Sequence, residues 1–178
     1  VPVAIDAPIA RLRAVAERVG ARLVVSDRAL DVERTLRPQD VADERVKFEL
    51  DPNVTPGDAY VIFTSGSTGT PKAITVTHTQ LAHSLASRLR FYGDDAVRFG
   101  LFSPLAFDSS VAGLFWTVAC GGCLVIVDEE LVMRPHETVD YLIRHRVDTY
   151  LTLPSVHRAL LETAKPALAE IVKTVIVA

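Results

Sequence analysis

The sequence is poor in the residues that mark disulfide frameworks, zinc sites and membrane spans. Its 178 residues include two cysteines, and no second cysteine pair or suitably spaced histidine pair would complete a zinc site. No apolar run is long enough to cross a bilayer, no basic run favours nucleic acid or an anionic membrane, and no secretory signal is visible. We therefore expect a cytoplasmic protein that binds neither nucleic acid nor membrane and holds no metal in this chain.

The two cysteines form the segment Cys120-Gly-Gly-Cys123, which is either a redox pair or two small residues flanking a turn. A reactive pair usually begins a helix, where the helix dipole stabilises a thiolate. Here Cys120 follows the helix-like segment 111–119, and Cys123 precedes the strand-like run 124–127. The dipole has the wrong sign at this position, so we interpret the pair as structural.

The pattern of apolar residues predicts an α/β fold. From residue 60 onward, short apolar runs alternate with amphipathic segments, which is typical of a mostly parallel sheet covered by helices on both faces. The expected strands are 22–26, 60–63, 73–76, 99–103, 124–127, 149–153 and 175–178, with a further candidate at 46–50. The expected helices are 9–19, one from His78 to near Gly93, one that Asp108 or Ser109 caps and that runs through Cys120, one that opens at Pro135, 156–164 and 167–172.

Several residues indicate where these helices begin. Thr77 and Gln80 form a capping-box pattern, Asp108 or Ser109 is expected to cap the next helix, and Ser155 the helix at 156–164.

Strand-like residues stand at both termini, which we interpret as cuts in a longer protein. We expect residues 1–178 to be a single partial domain, in which 60–178 forms the ligand-binding unit.

Ligands of parallel α/β sheets bind beyond the carboxyl ends of the strands. Three polar features stand at such positions: the loop 64–72, Asp108 and Thr152. The loop combines five hydroxyl side chains with two glycines and Lys72, a set suited to holding a polyphosphate. It is not a Walker A loop, because Pro71 and Ala73 stand where that motif needs glycine and serine or threonine.

The segment from Tyr60 to Ile74, YVIFTSGSTGTPKAI, closely resembles the signature of the adenylate-forming enzymes, which include the adenylation domains of nonribosomal peptide synthetases. The resemblance implies a flavodoxin-like subdomain and ATP as a ligand. It departs from the family at Ala73, where glycine is usual, and His78 matches a position often filled by histidine. The ATP-phosphate ligands that it implies are Thr64, Ser65, Gly66, Ser67, Thr68, Gly69 and Lys72.

A second segment, Ala106-Phe-Asp-Ser-Ser-Val111, resembles the next signature of the peptide-synthetase branch. The resemblance implies that Asp108 binds the α-ammonium of an amino acid, whereas the residues alone favour a helix cap, and both roles can hold. The further substrate-pocket residues that it implies are Ser109, Ala112, Thr152, Ile176 and Ala178. Most of these side chains are small, which predicts a roomy pocket, and Thr152, Ile176 and Ala178 beside Asp108 resemble the set in domains that select aromatic amino acids.

The implied reaction joins an amino acid to ATP, giving aminoacyl-AMP and pyrophosphate, and then loads a carrier-protein thiol through its phosphopantetheine arm. The family's Mg²⁺ ligand, ribose-binding aspartate and substrate-contacting lysine are expected outside this chain, as is the C-terminal subdomain. We therefore expect the 178 residues alone to be inactive. The alternatives are a non-catalytic adenylation subdomain, excised or remnant, and a fragment of an acyl- or aryl-CoA ligase, against which Asp108 argues.

Overall fold

The computed structural model describes residues 1–4, 6–28, 35–40, 57–64 and 72–178. The chain divides into two compact units, one of residues 3–55 and one of residues 56–178 together with 1–2. The division falls close to residue 60, where the ligand-binding unit was expected to begin; the assignment of a single partial domain stays a prediction. No helix in the described ranges is long and apolar enough to span a bilayer.

The smaller unit contains one helix and a pair of very short strands. Helix α1 (Ile9–Val19) ends at Gly20, whose φ of 60° is the left-handed conformation that closes many helices. Strand β1 (Val24–Val25) pairs in parallel with β2 (Thr35–Leu36), and a 3₁₀ turn follows at Pro38–Asp40. The prediction of a buried strand at 22–26 is wrong, because only two residues are paired and Val25 is 62% exposed. The strand predicted at 46–50 lies outside the described residues.

The larger unit begins with a β-hairpin. Strand β3 (Asp58–Thr64) pairs antiparallel with β4 (Lys72–Thr77), and Ile62 is buried. The prediction that 60–63 is a strand buried on both faces of the parallel sheet is therefore wrong. The connection 65–71 is too short for the crossover that two parallel strands require, so the chain folds back on itself.

A four-stranded parallel sheet follows, with helices on both faces, which confirms the predicted fold class. The strand order is β6-β5-β7-β8, and all three pairings are parallel. These strands are β5 (Arg98–Leu101), β6 (Cys123–Ile126), β7 (Thr149–Thr152) and β8 (Thr174–Val177). The helices are α2 (His78–Tyr92), α3 (Asp108–Ala119), α4 (Glu129–Val132), α5 (Pro135–Arg144), α6 (Pro154–Glu162) and α7 (Pro166–Ile171).

Each face of the sheet has its own hydrophobic core. On one face, Phe99, Leu101, Trp116 and Leu151 form a buried cluster against which side chains of α2 also pack. The cluster on the other face joins the sheet to α5, α6 and α7, and its central side chains Val139 and Leu142 are completely buried. Alternation along the strands sends successive side chains to opposite faces, so the near-continuous apolar runs serve both cores.

The predicted cap of α2 is confirmed, whereas those of α3 and α6 are not. Thr77 and Gln80 form the predicted capping box, in which the Gln80 N–H donates to Thr77 Oγ1 at 3.2 Å and the Thr77 N–H to Gln80 Oε1 at 2.8 Å. The predicted caps at Asp108 or Ser109 and at Ser155 are wrong, because α3 already begins at Asp108 and α6 at Pro154, and neither helix has a side-chain cap. The sequence analysis also missed α4, which the carboxylate of Asp128 caps.

The glycine turn between Cys120 and Cys123 closes α3. Gly121 has a φ of 64°, and the Gly122 N–H donates to Thr117 O at 2.8 Å, which is the hydrogen bond of a Schellman motif. Burial raises the pKa of the Cys120 thiol, which disfavours the reactive thiolate. These observations support the structural interpretation of the pair.

Candidate functional site

The hairpin places the two ends of the predicted phosphate loop side by side. Thr64 ends β3, Lys72 begins β4, and the two residues are cross-strand partners with exposed side chains. The Cβ atoms of directly opposed antiparallel partners lie about 5 Å apart. The Thr64 hydroxyl and the Lys72 ammonium group therefore stand on either side of the hairpin end. The remaining predicted phosphate ligands, Ser65, Gly66, Ser67, Thr68 and Gly69, lie outside the described residues, and the whole assignment stays a prediction. His78, just after the hairpin, is the exposed first residue of α2.

A cavity of about 150 Å³ lies between strand β3 and the helices α2 and α3. It brings together two of the predicted substrate-binding residues, Asp108 and Ala112. They stand four residues apart on α3, a spacing that puts side chains on one face of a helix. The lining residues are Tyr60, Leu81, Ser84, Leu85, Arg88, Asp108, Val111, Ala112 and Phe115.

The position of Asp108 suits a carboxylate that binds a cation. It is the first residue of α3, where the helix dipole stabilises negative charge, and its side chain is exposed. The turn before it is held by Ser110 Oγ, which donates to Phe107 O at 2.6 Å. No described residue donates a hydrogen bond to the Asp108 carboxylate or forms an ion pair with it. Both oxygens are thus available to a ligand.

The charge of Asp108 acts on Tyr60 across the cavity. Partial burial, and then the negative charge of Asp108, raise the pKa of the Tyr60 phenol above its usual value. The phenol therefore stays protonated near neutral pH and can donate a hydrogen bond.

Three polar lining residues, Tyr60, Ser84 and Arg88, were not predicted as site residues. Tyr60 was assigned only to a buried strand, although it begins the segment that resembles the adenylate-forming signature. Ser84 and Arg88 each precede a leucine of the apolar stripe on α2, so they lie at the edge of its buried face. This spacing predicts that Ser84 and Arg88 lie near the core. It does not indicate which neighbouring strand or helix their side chains face.

The other four predicted substrate-pocket residues do not line this cavity. Ser109 Oγ donates to Ser103 Oγ at 2.8 Å, and Ile176 packs against the Phe99–Trp116 cluster. Thr152 is buried at the end of β7, and its carbonyl accepts from the N–H of the exposed residue Ala178 at 3.3 Å. Their assignment to the substrate pocket stays a prediction.

The acidic side chains in the described ranges do not converge as metal ligands would. No three histidine, cysteine, aspartate or glutamate side chains among these residues are grouped closely enough to hold an ion. The described ranges therefore contain no preformed cluster of three such ligands for the Mg²⁺ that the resemblance implies, whose protein ligand is expected outside this chain.

The model of one protein family, described as AMP-binding enzyme, matches residues 1–178. The chain belongs to this family. Bacitracin synthase 3 of Bacillus licheniformis is 32% identical to it over 177 residues, which are 96% of this chain and 3% of that protein. Pyochelin synthetase PchE of Pseudomonas aeruginosa is 34% identical over 173 residues, which are 92% of this chain and 11% of the synthetase. The chain thus spans only a small part of these relatives.

Solved structures share this fold over nearly the whole chain. The nonribosomal peptide synthetase FmoA3 in its AMPPNP-bound form superposes with a TM-score of 0.81 and 26% identity, over 96% of this chain and 19% of that chain. The N-terminal subdomain of Klebsiella oxytoca NpsA, in complex with 3-hydroxybenzoyl-AMSN, has a TM-score of 0.79. It is 20% identical and covers 99% of this chain and 46% of that chain, so it supports the fold alone.

Proposed function

We propose that this chain is part of an ATP-dependent domain that activates an amino acid as aminoacyl-AMP in nonribosomal peptide synthesis. The carrying observation is Asp108, an unpaired carboxylate on a small cavity lined by both polar and apolar side chains, in a chain of the AMP-binding enzyme family. Similarity to bacitracin and pyochelin synthetases supports the amino-acid branch. A cytoplasmic location is in keeping with ATP as co-substrate and stays a prediction.

In this proposal the amino acid binds in the cavity and the phosphates of ATP bind at the hairpin end. Asp108 binds the α-ammonium group of the amino acid through a charge-assisted hydrogen bond, and this fixes the position of the carboxylate. The carboxylate attacks the α-phosphorus of ATP, forming the acyl–phosphate bond as the bond to pyrophosphate breaks. The Lys72 ammonium and the Thr64 hydroxyl interact with the departing phosphates at the hairpin end. Mg²⁺ would supply further charge neutralisation, and no step here depends on it.

We propose an aromatic amino acid as the substrate. The small or short side chains assigned to its pocket support this choice, since they leave room for a ring. Those residues are Ser109, Ala112, Thr152, Ile176 and Ala178.

The second partner that we propose is a carrier protein, whose phosphopantetheine thiol takes the acyl group from AMP. One neighbour of this fold is an artificially fused adenylation–PCP di-domain of a Klebsiella oxytoca synthetase, NpsA-ThdA. It has a TM-score of 0.81 and is 21% identical, over 99% of this chain and 36% of that chain. That protein joins an adenylation domain to a PCP domain, which is the kind of pair that we propose for this chain and its carrier protein.

The test is amino-acid-dependent exchange of pyrophosphate into ATP by the complete protein. Asp108→Asn leaves the ammonium without a counter-charge, and we expect kcat/KM for the amino acid to fall by about 30- to 100-fold, equivalent to roughly 2–3 kcal/mol. Glu170→Gln, an exposed acid-to-amide change on α7, is the matched control and should change little. Wild-type kinetics in Asp108→Asn would contradict the role of Asp108.

The choice of acid separates the competing functions. Exchange that depends on aryl or fatty acids, with none for amino acids, would identify a CoA-ligase type of enzyme instead. A complete protein that neither binds ATP nor supports exchange would be a non-catalytic adenylation domain. We expect the isolated 178-residue chain to support no exchange.

A further inference from the structure

We propose that Ser103 is a positioning residue for amino-acid activation, because it holds the first turn of α3, and with it Asp108, against the carboxyl end of strand β5. The sequence analysis assigned no role to Ser103. This inference rests on the proposed function, because it takes Asp108 as the residue that binds the α-ammonium group of the substrate.

Ser103 stands where parallel sheets bind their ligands. Strand β5 lies inside the sheet, between β6 and β7, and ends at Leu101, two residues before Ser103. Ligands bind beyond the carboxyl ends of such strands. Leu101 is level with Leu151 of β7, and Leu151 is level with Ile176 of β8, so Ile176 lies about 10 Å from β5 at the same level. Ser103 therefore stands at the edge of the sheet to which we assign the substrate pocket.

A hydrogen bond between two serines connects this strand end to α3. Ser109 Oγ donates to Ser103 Oγ at 2.8 Å, across a separation of six residues, and both side chains are partly buried. Ser109 is the second residue of α3 and follows Asp108 directly. Consecutive Cα atoms lie about 3.8 Å apart across a planar peptide bond, so fixing Ser109 relative to β5 also restricts the position of Asp108.

The other hydrogen bonds at the start of α3 in the described ranges join neighbouring residues of the same turn. The Phe107 N–H donates to Pro104 O at 3.0 Å, and Ser110 Oγ donates to Phe107 O at 2.6 Å. No described side chain caps α3, whose N-cap position is occupied by Phe107. These contacts shape the turn but do not connect it to the sheet. The serine pair supplies that connection.

Apolar packing holds α3 only further along its length. Gly113 contacts the buried ring of Phe99, and Trp116 packs edge-on against the same ring, with centroids 6.0 Å apart. Gly113 lies about 7.5 Å along the helix axis from Asp108, which is exposed. The substrate-binding end of α3 thus projects beyond the core. The hydrogen bond at Ser109 therefore limits its movement relative to the sheet.

Removing the Ser103 hydroxyl should impair the reaction through Asp108. The net contribution of one hydrogen bond corresponds to about a 3- to 10-fold change, and a small displacement of a positioned reactant lowers the rate at least as much. We therefore expect Ser103→Ala to lower kcat/KM for the amino acid by about 3- to 10-fold. In the Asp108→Asn background the ammonium contact is already lost, so the same change should lower kcat/KM by less than about 2-fold.

The experiment measures amino-acid-dependent exchange of pyrophosphate into ATP by the complete protein, in the four combinations of these two changes. Ser103→Thr keeps a hydroxyl and should retain nearly wild-type kinetics, whereas Ser103→Val has almost the same shape without the hydroxyl and should match Ser103→Ala. Ser87→Ala removes a hydroxyl hydrogen bond to His83 O within α2 and is the control, which should change nothing. If Ser103→Ala does not fold, Ser109→Ala breaks the same hydrogen bond from its other side and should give the same loss.

The outcomes distinguish this inference from the function on which it rests. Three results would each overturn the role of Ser103 and leave amino-acid activation intact: wild-type kinetics in Ser103→Ala, equal kinetics in Ser103→Thr and Ser103→Val, or an undiminished effect in the Asp108→Asn background. No exchange with any amino acid by the unmodified complete protein would overturn the proposed function itself.

Discussion

Replacing Gly113 with alanine should destabilise the fold, although alanine favours helices. A Cβ atom at this position would lie 2.2 Å from Cε1 and 2.7 Å from Cζ of the Phe99 ring. Phe99 is 1% exposed and packs edge-on against Trp116, with ring centroids 6.0 Å apart, so the ring has no space into which to retreat. Overpacking of this kind costs about 3 kcal/mol at its upper end, and the gain in helix propensity offsets about 1. We expect a net loss of about 2 kcal/mol.

Urea unfolding of the 178-residue chain, followed by the fluorescence of its single tryptophan, measures this loss directly. Phe99→Leu combined with Gly113→Ala is the informative control. Removal of the ring edge should relieve the clash, so the two changes together should cost at least 1 kcal/mol less than the sum of each alone. If Gly113→Ala instead stabilises the chain by about 1 kcal/mol, helix propensity decides the outcome and α3 does not pack on Phe99 as described.

Two further predictions concern a helix cap and a buried phenol. Thr77→Ala removes the capping box of α2 and should lower the unfolding free energy by about 1 kcal/mol in urea titrations, whereas Thr79→Ala in the first turn should change it little. Burial raises the pKa of Tyr150, so the folded chain keeps this proton at a pH where the unfolded chain loses it. Stability should therefore fall as pH rises above about 10, and Tyr150→Phe should weaken that dependence between pH 8 and 11; an unchanged slope would contradict it.

Local patterns predicted the helices better than the sheet. The capping box at Thr77, the proline at position 135 and the glycine at position 20 each act within one helical turn, so the sequence around them is sufficient. The incorrect prediction of a cap at Ser155 also has a local cause. Pro154 fits the first position of a helix, so α6 begins before Ser155. The strand 60–63 was assigned to the wrong sheet because a short apolar run does not reveal the direction of its partner.

The candidate site was predictable only where its residues share one element. Asp108 and Ala112 lie four residues apart on α3, so helical spacing alone brings them to one face. Tyr60 and Arg88 belong to β3 and α2, and they reach the cavity only through the packing of three elements. Periodicity places a side chain on a face of its own helix or strand, but it contains no information about which neighbour that face meets.

The junction at Thr77 directly connects the hairpin, where ATP is proposed to bind, to α2, which lines the amino-acid cavity. Strand β4 ends at Thr77 and α2 begins at His78, with the capping box across the join and the His78 N–H donating to Gly57 O at 3.1 Å. No loop separates the strand that starts at Lys72 from the helix whose side chains line the cavity beside Asp108. We therefore expect ATP binding at the hairpin end and amino-acid binding in the cavity to influence each other through this direct connection.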